Sequence, residues 1–266
     1  MSSNVKQTLM VALGVCLVAS VLVSTAAVEL KPIQTKNKKL DLLKNILSAG
    51  DLLDEKNDIE EIYKENIEPE IVDLETGEIV DKEKYDEIVN VNDFDIKSVA
   101  SSDKWGKEIP AEKDIAGIKR MPKVMIVYKV LDKDKNVLKY ILPIYGKGLW
   151  STMYGFISLG NDLSTVEGFT FYDHGETPGL GGEVDNPKWK KIWVGKHVYD
   201  ENGNLKIQVI KRRVDPGSPD AKYKVDGLSG ATLTTNGVNY LVRFWMSDEG
   251  YGQFLKKLRG DKNEKV

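Results

Sequence analysis

The sequence predicts an α+β fold: a mainly antiparallel sheet with flanking helices, preceded by one N-terminal transmembrane helix. Three observations predict it. An uncharged run rich in Val, Leu and Ala covers Thr8–Val28. Paired β-branched and aromatic segments, joined by short turn sequences, fill the middle of the chain. Near the C-terminus apolar residues return at helical spacing, with Val238, Leu241, Val242 and Trp245 at i, i+3, i+4 and i+7.

The first element is the Thr8–Val28 run. It is about 21 residues long, and at about 1.5 Å per residue it crosses a hydrocarbon core of about 30 Å. A secretory signal has a shorter apolar region and a small-residue cleavage site. Ala26 and Ala27 supply small residues, but the length favours a retained anchor, with residues 1–7 on the cytoplasmic side. Cys16, the single cysteine, lies inside this run. It follows Val15, where a lipoprotein site wants a small residue, and one thiol supports neither an intrachain disulfide nor an iron–sulfur cluster. Lys6 precedes the run, whereas Lys31, Lys36, Lys38, Lys39 and Lys44 follow it. A positive-inside count alone would keep the following domain in the cytoplasm, yet long domains translocate largely regardless of such charges. Charge by itself leaves the orientation open.

Residues 29–102 read as a helical and acidic linking region. Leu40, Leu43, Ile46 and Leu47 suggest a helix ending at Gly50, and acidic residues concentrate between Asp51 and Asp95 as a solvated face. A turn is signalled at Glu75-Thr76-Gly77-Glu78. The folded domain is expected over 103–259, with 260–266 as a tail. Val124–Leu131 and Val137–Ile144 flank Asp132–Asn136 as a hairpin, and Tyr154–Leu159 and Thr165–Tyr172 form a second around Gly160-Asn161-Asp162. Asn186 suits an N-cap and Pro187 the first helical position, so a short helix starts there. Leu205–Ile210 follows the turn Asp200–Gly203. Helices are expected over about Thr235–Met246 and near Gln253–Leu258.

Several function classes fall away. The formal net charge is -3, which gives no basic footprint for nucleic acid. No Gly-x-Gly-x-x-Gly opens a helix after a strand, so nicotinamide binding is not expected. Thr8–Val28 contains no Asp or Glu and offers no sodium path of its own. Neither a catalytic residue nor a metal ligand set stands out.

Two short stretches carry the chemistry. In Asp226-Gly227-Leu228-Ser229-Gly230-Ala231-Thr232, Ser229 is expected to cap the following helix and Gly230 to make the tight turn into it. Backbone N–H groups would then converge near Thr232, a place that accepts a phosphate. The same residues also describe an ordinary capped turn, and Thr234 and Thr235 offer competing hydroxyls. The second stretch is His174-Gly175-Glu176-Thr177-Pro178-Gly179-Leu180-Gly181-Gly182. Its glycines allow close backbone approach, Pro178 stiffens it, and Leu180 can cover the face of a flat ring. His174 reads as incidental at the mouth of this loop. Trp150, in Gly148-Leu149-Trp150-Ser151, suits ring stacking or core equally; Trp189, Trp193 and Trp245 read as core.

The Asp-x-x-Ser-Gly-Ala-Thr stretch resembles the flavinylation motif of the FMN-binding domain family, in which FMN is joined through its phosphate to the final threonine. The Glu-Thr-Pro-Gly-Leu-Gly loop is similar to a second motif of that family. With Gly148–Ser151, Asn186-Pro187-Lys188-Trp189 and the membrane run, the chain resembles the C subunit of the sodium-translocating NADH:quinone reductases. The likeness runs from about Met121 to Arg259 and is weaker over Lys31–Ser102.

That resemblance implies covalent FMN on Thr232, with Asp226, Ser229, Gly230, Ala231, Trp150, Glu176, Thr177, Leu180 and Gly181 forming the site. It implies an electron relay that is not catalytic alone, working with other subunits of a membrane respiratory complex. A separate flavin transferase would take FMN from FAD and recognise the motif, Asp226 included. The chain would sit in the bacterial inner membrane, crossing it once, with the large domain in the periplasm. The flavin-bearing subunit of a ferredoxin:NAD-type complex, or an anchored assembly module without cofactor, are the alternatives. The Gly-Leu-Trp and Asn-Pro-Lys-Trp matches and the acidic insert favour the reductase.

Overall fold

The computed structural model describes residues 2–54, 56–85 and 94–263. Residues 55 and 86–93 of the acidic stretch, and 264–266 of the expected tail, lie outside the described residues. The chain divides into two units, Met1–Leu42 and Leu43–Val266.

The first unit is helical. Helix α1 (Ser2–Ala49) carries an 18-residue window of mean hydropathy 2.4, none of it buried, long and apolar enough to cross a membrane. It contains the expected Thr8–Val28 span. The separate helix expected from Leu40 is the continuation of α1 rather than a new element. Pro32 lies inside it; a proline reads in sequence as a boundary, but the Lys-, Gln- and Leu-rich stretch after it keeps good helix formers.

The second unit is built on a five-stranded antiparallel sheet. Its strands are β1 (Ile67–Asp73), β4 (Val124–Leu131), β5 (Val137–Lys147), β6 (Thr152–Gly160) and β7 (Val166–Asp173), in the order β1-β4-β5-β6-β7. Both expected hairpins are present. In the first turn the Asp132 carboxylate accepts the N–H groups of Asp134 and Asn136, each at 2.8 Å, which turns the chain without glycine.

The edge strand β1 corrects the expected organisation. Ile67–Asp73 falls in the stretch read as a linker, yet it pairs with β4 in continuous register from Ile67↔Val130 to Asp73↔Val124. The folded unit therefore starts at Leu43 rather than at 103. Pro69 is tolerated because an edge strand leaves one side of its ladder unpaired.

Alternation along the strands sends one set of side chains toward the C-terminal helices. Met125, Val127, Leu142, Ile144, Ile157, Leu159, Phe169 and Phe171 share a core with residues of α5 (Thr232–Met246) and α6 (Gly252–Asn263). Trp245 Nε1 donates to the Tyr145 carbonyl at 2.6 Å and the Tyr251 hydroxyl to the Pro143 carbonyl at 2.7 Å. The opposite face carries Tyr128, Ile141 and Phe156, with Tyr63 of α2 (Ile59–Asn66) edge-on to Tyr128 at 6.4 Å. Burial on both faces explains the near-continuous apolar strands.

Smaller elements complete the unit: α3 (Ile96–Ser101), β2 (Gly106–Glu108) paired with β3 (Arg120–Pro122), α4 (Pro187–Lys191), and the parallel pair β8 (Gln208–Ile210) and β9 (Lys224–Asp226). Asn186 caps α4 as expected, accepting the Lys188 N–H at 3.0 Å, with Pro187 in the first turn.

Candidate cofactor site

Three chain segments meet at one end of the sheet. The Gly148–Ser151 turn joins β5 to β6, the His174–Gly182 loop leaves β7, and the Asp226–Ala231 stretch leads from β9 into α5. Strand pairing places the first two side by side, since Tyr154 near the start of β6 is registered with Asp173 at the end of β7. The third arrives through α5, whose Gly237 lets the helix approach the strand: a Cβ there would meet the Lys147 carbonyl at 2.5 Å.

Glu176 joins all three. It is only 5% exposed. Its Oε1 accepts the Trp150 N–H at 3.0 Å and its Oε2 accepts the Thr234 hydroxyl at 2.5 Å. Burial pushes this carboxyl up, but the bonds from Thr234 and from the N–H groups of Trp150, Leu149 and Ser151 outweigh it and hold it below the usual carboxylate range. A second stitch runs from the Gly175 N–H to Ser151 Oγ at 2.6 Å. Residues far apart in sequence are thus held in one cluster.

The loop is braced at its mouth. His174 Nδ1 accepts the Glu176 N–H at 3.2 Å, which leaves Nε2 to donate to Asp185 at 2.8 Å. His174 is therefore a structural part of the loop, not the incidental residue expected. The Thr177 carbonyl accepts the N–H groups of Leu180 at 3.1 Å and Gly182 at 2.8 Å. Gly181 faces inward: a Cβ there would meet Thr234 Oγ1 at 2.5 Å and Glu176 Oε2 at 2.8 Å. Gly179, at φ +77°, faces open space, and Leu180 is exposed beside Gly230, where a Cβ would come within 3.4 Å of Leu180 Cδ2. The two motifs are neighbours in space.

The entrance to α5 differs from expectation. The helix begins at Thr232, not near Thr235, and its cap position is Ala231, with no side-chain capping bond. Ser229 does not cap it, because it lies too early in the chain and Gly230, at φ +73°, turns the backbone after it. The first helical bond runs from the Thr235 N–H to the Ala231 carbonyl at 2.9 Å. The N–H groups of Thr232, Leu233 and Thr234 precede that bond, where a helix has donors to spare.

Burial separates the three hydroxyls of this turn. Thr232 is exposed, whereas Thr234 and Thr235 are each 1% exposed. Thr234 is committed to Glu176, and Thr235 Oγ1 accepts the Leu228 N–H at 3.0 Å. Around Thr232, the side chains of Trp150, Leu180 and Leu233 stand exposed. Asp226 turns elsewhere: its Oδ1 accepts the Val214 N–H at 2.7 Å. Its carbonyl accepts the Trp189 indole N–H at 2.9 Å, so Trp189 is both core and brace.

Residues 148–247 match the FMN-binding domain family. The match begins at the turn held by Glu176 and ends just past α5. Over the whole length, the chain is 46% identical to the NqrC protein of the Na(+)-translocating NADH-quinone reductase of Pseudomonas aeruginosa, covering 95% of each. This chain belongs to the NqrC family of those reductases. A second member, from Vibrio parahaemolyticus, is 44% identical over 97% of each chain. The fold follows the family too. The crystal structure of Shewanella oneidensis NqrC superposes with a TM-score of 0.75 at 34% identity, covering 84% of this chain and 99% of that one. The counterpart from Parabacteroides distasonis gives 0.64 at 29% identity, covering 85% and 96%.

Proposed function

We propose that this protein carries FMN covalently, through a phosphoester to Thr232 Oγ1, and serves as an electron relay in a sodium-translocating NADH:quinone reductase. The residues present fit that group. An uncapped helix N-terminus offers backbone donors and the positive end of a dipole to a phosphate. Exposed Trp150, Leu180 and Leu233 offer apolar surface to a flat ring beside it. When bound, the flavin supplies a centre that takes up and releases electrons. The protein's part is to hold it, orient it and shape its surroundings.

The observation that carries this reading is the sorting of three threonines in one turn. Only Thr232 presents a free face, while Thr234 and Thr235 are buried and bonded within the chain. A threonine hydroxyl is a poor nucleophile without an adjacent base. Both imidazoles are engaged elsewhere, His174 with Asp185 and Glu176, His197 beside Thr165. Attachment therefore falls to a separate flavin transferase that docks where Ser229, Gly230 and Thr232 are exposed. The long apolar helix anchors the chain in the inner membrane, with the folded unit on the periplasmic side, among the other subunits of the complex.

The test is mass spectrometry of the peptide spanning Ser229–Thr235 from chain made with its transferase. The expected result is an FMN phosphoester on Thr232. An unmodified peptide, or an adduct on another residue, overturns the assignment.

A further inference from the structure

We infer that Glu176 is a positioning residue of the flavin site: its buried carboxylate clasps the Gly148–Ser151 turn to the first turn of α5, and so fixes where the Trp150 ring stands beside Thr232. The inference rests on Thr232 as the attachment point and goes beyond it, since it gives Glu176 a part played through other residues.

Both carboxylate oxygens are consumed inside the chain, one by the Trp150 N–H and one by the Thr234 hydroxyl. Two glycines close over them. A Cβ at Gly148 would meet Oε1 at 2.5 Å, and one at Gly181 would meet Oε2 at 2.8 Å. An acid boxed in this way acts on the site through the segments it holds.

Trp150 shows what the clasp achieves. It is 67% exposed while its backbone N–H is bonded to a residue 26 positions away. An exposed indole has little packing to fix it, so its direction follows from the backbone that carries it. Glu176 and, through Gly175, Ser151 pin that backbone at 3.0 and 2.6 Å. On the other side, Thr234 lies two residues beyond Thr232 in the same helical turn. One carboxylate therefore sets the spacing between the attachment point and an exposed aromatic ring. Its charge is also held at a helix N-terminus, where the dipole favours it.

The experiment uses the full chain in detergent, made with and without its transferase, and compares Glu176→Ala, Thr234→Val and Thr234→Ser with wild type. Hydrogen exchange is read first, on peptides covering residues 148–153 of the unflavinylated chain. Loss of the carboxylate or of its hydroxyl partner should speed exchange of the 149–151 amides by about tenfold or more. Thr234→Ser, which keeps the hydroxyl, should match wild type. In flavinylated chain, the visible absorption bands and midpoint potential should move in Glu176→Ala and Thr234→Val while the Thr232 adduct mass persists. If Glu176→Ala does not fold, Thr234→Val carries the test. Wild-type exchange in Thr234→Val overturns the clasp. Faster exchange with unmoved bands and potential overturns its bearing on the flavin. Absence of the adduct from the wild-type chain overturns the attachment reading instead, a failure that the exchange data of the unflavinylated chain do not share.

Discussion

The indole N–H of Trp189 donates to the carbonyl of Asp226 at 2.9 Å across 37 positions of sequence. Asp226 opens the stretch that ends at Thr232, and Trp189 belongs to α4, so this bond ties the helix begun by Asn186-Pro187 to the attachment segment. Trp189 is also packed edge-on to Phe169 at 5.9 Å and to Trp193 at 5.6 Å. Trp189→Phe keeps an aromatic ring in the core but removes the donor. Leaving that partly buried carbonyl one donor short should cost about 1–3 kcal/mol, read as a lower Tm. An unchanged Tm would show that water replaces the indole.

Thr232 and Thr234 separate two roles that sequence alone leaves mixed. Thr232→Ala should abolish the band that fluoresces under ultraviolet light after denaturing electrophoresis, with little change in Tm, since the side chain is exposed. Thr234→Ala should retain the band but lower stability by about 1–3 kcal/mol, because it takes a donor from a buried carboxylate. Fluorescence persisting in the Thr232 variant would move the attachment point elsewhere.

Much of this arrangement was legible. The two hairpins follow from alternation and turn chemistry, and α4 from Asn186-Pro187. The flavin motifs were found by their resemblance, and the structure brings Leu180 against Gly230. What stayed hidden was tertiary. Glu176 and Thr234 lie 58 positions apart, and nothing local marks them as partners. Strand β1 was hidden by Glu68, Pro69 and Glu70, residues that argue against a strand until Lys82 and Lys129 are seen to pair with the two acids at 2.6 and 2.7 Å. Ser229 looked like a cap because small polar residues suit that position, but which residue caps depends on where the helix starts, and that start is set by packing of Thr234 and Thr235.

The loop glycines should differ in their response to substitution. Gly181→Ala places a methyl group against Thr234 and Glu176, so it must push the clasp apart, at about 1–3 kcal/mol. Gly179→Ala meets no neighbour within 4 Å, and only its left-handed backbone at φ +77° resists, at about 1–2 kcal/mol. The former should also alter the flavin's absorption, the latter leave it unchanged. Equal spectra from the two variants would mean that the inward face of the loop does not shape the ring's surroundings.

Topology admits a direct test. Long polar domains cross the membrane largely regardless of flanking lysines. Protease added to intact spheroplasts should therefore digest the chain beyond Lys31 and leave a fragment containing the apolar run. Full protection of the folded unit would place it in the cytoplasm, as the lysine count alone suggests.

Acid should expose the contribution of Glu176 most plainly. Its carboxyl is held low in the folded chain: burial opposes ionisation, but the Thr234 hydroxyl and the N–H groups of Trp150, Leu149 and Ser151 favour it by more. A folded value below the unfolded one means that the unfolded chain binds the proton more readily. Stability from this group is then complete above the ordinary carboxylate range and is lost as pH falls through the lowered folded value. Glu176→Gln cannot titrate and keeps the shape, so it should be less stable than wild type at neutral pH by about 1–3 kcal/mol. Tm followed from about pH 7 to about pH 3 should show the two proteins converging as acid protonates the wild-type carboxyl. The other carboxylates are common to both and displace the curves together. Parallel curves over that whole range would mean that Glu176 titrates alike in the folded and unfolded chains, and that its bonds to Thr234 and Trp150 do not favour the charged form.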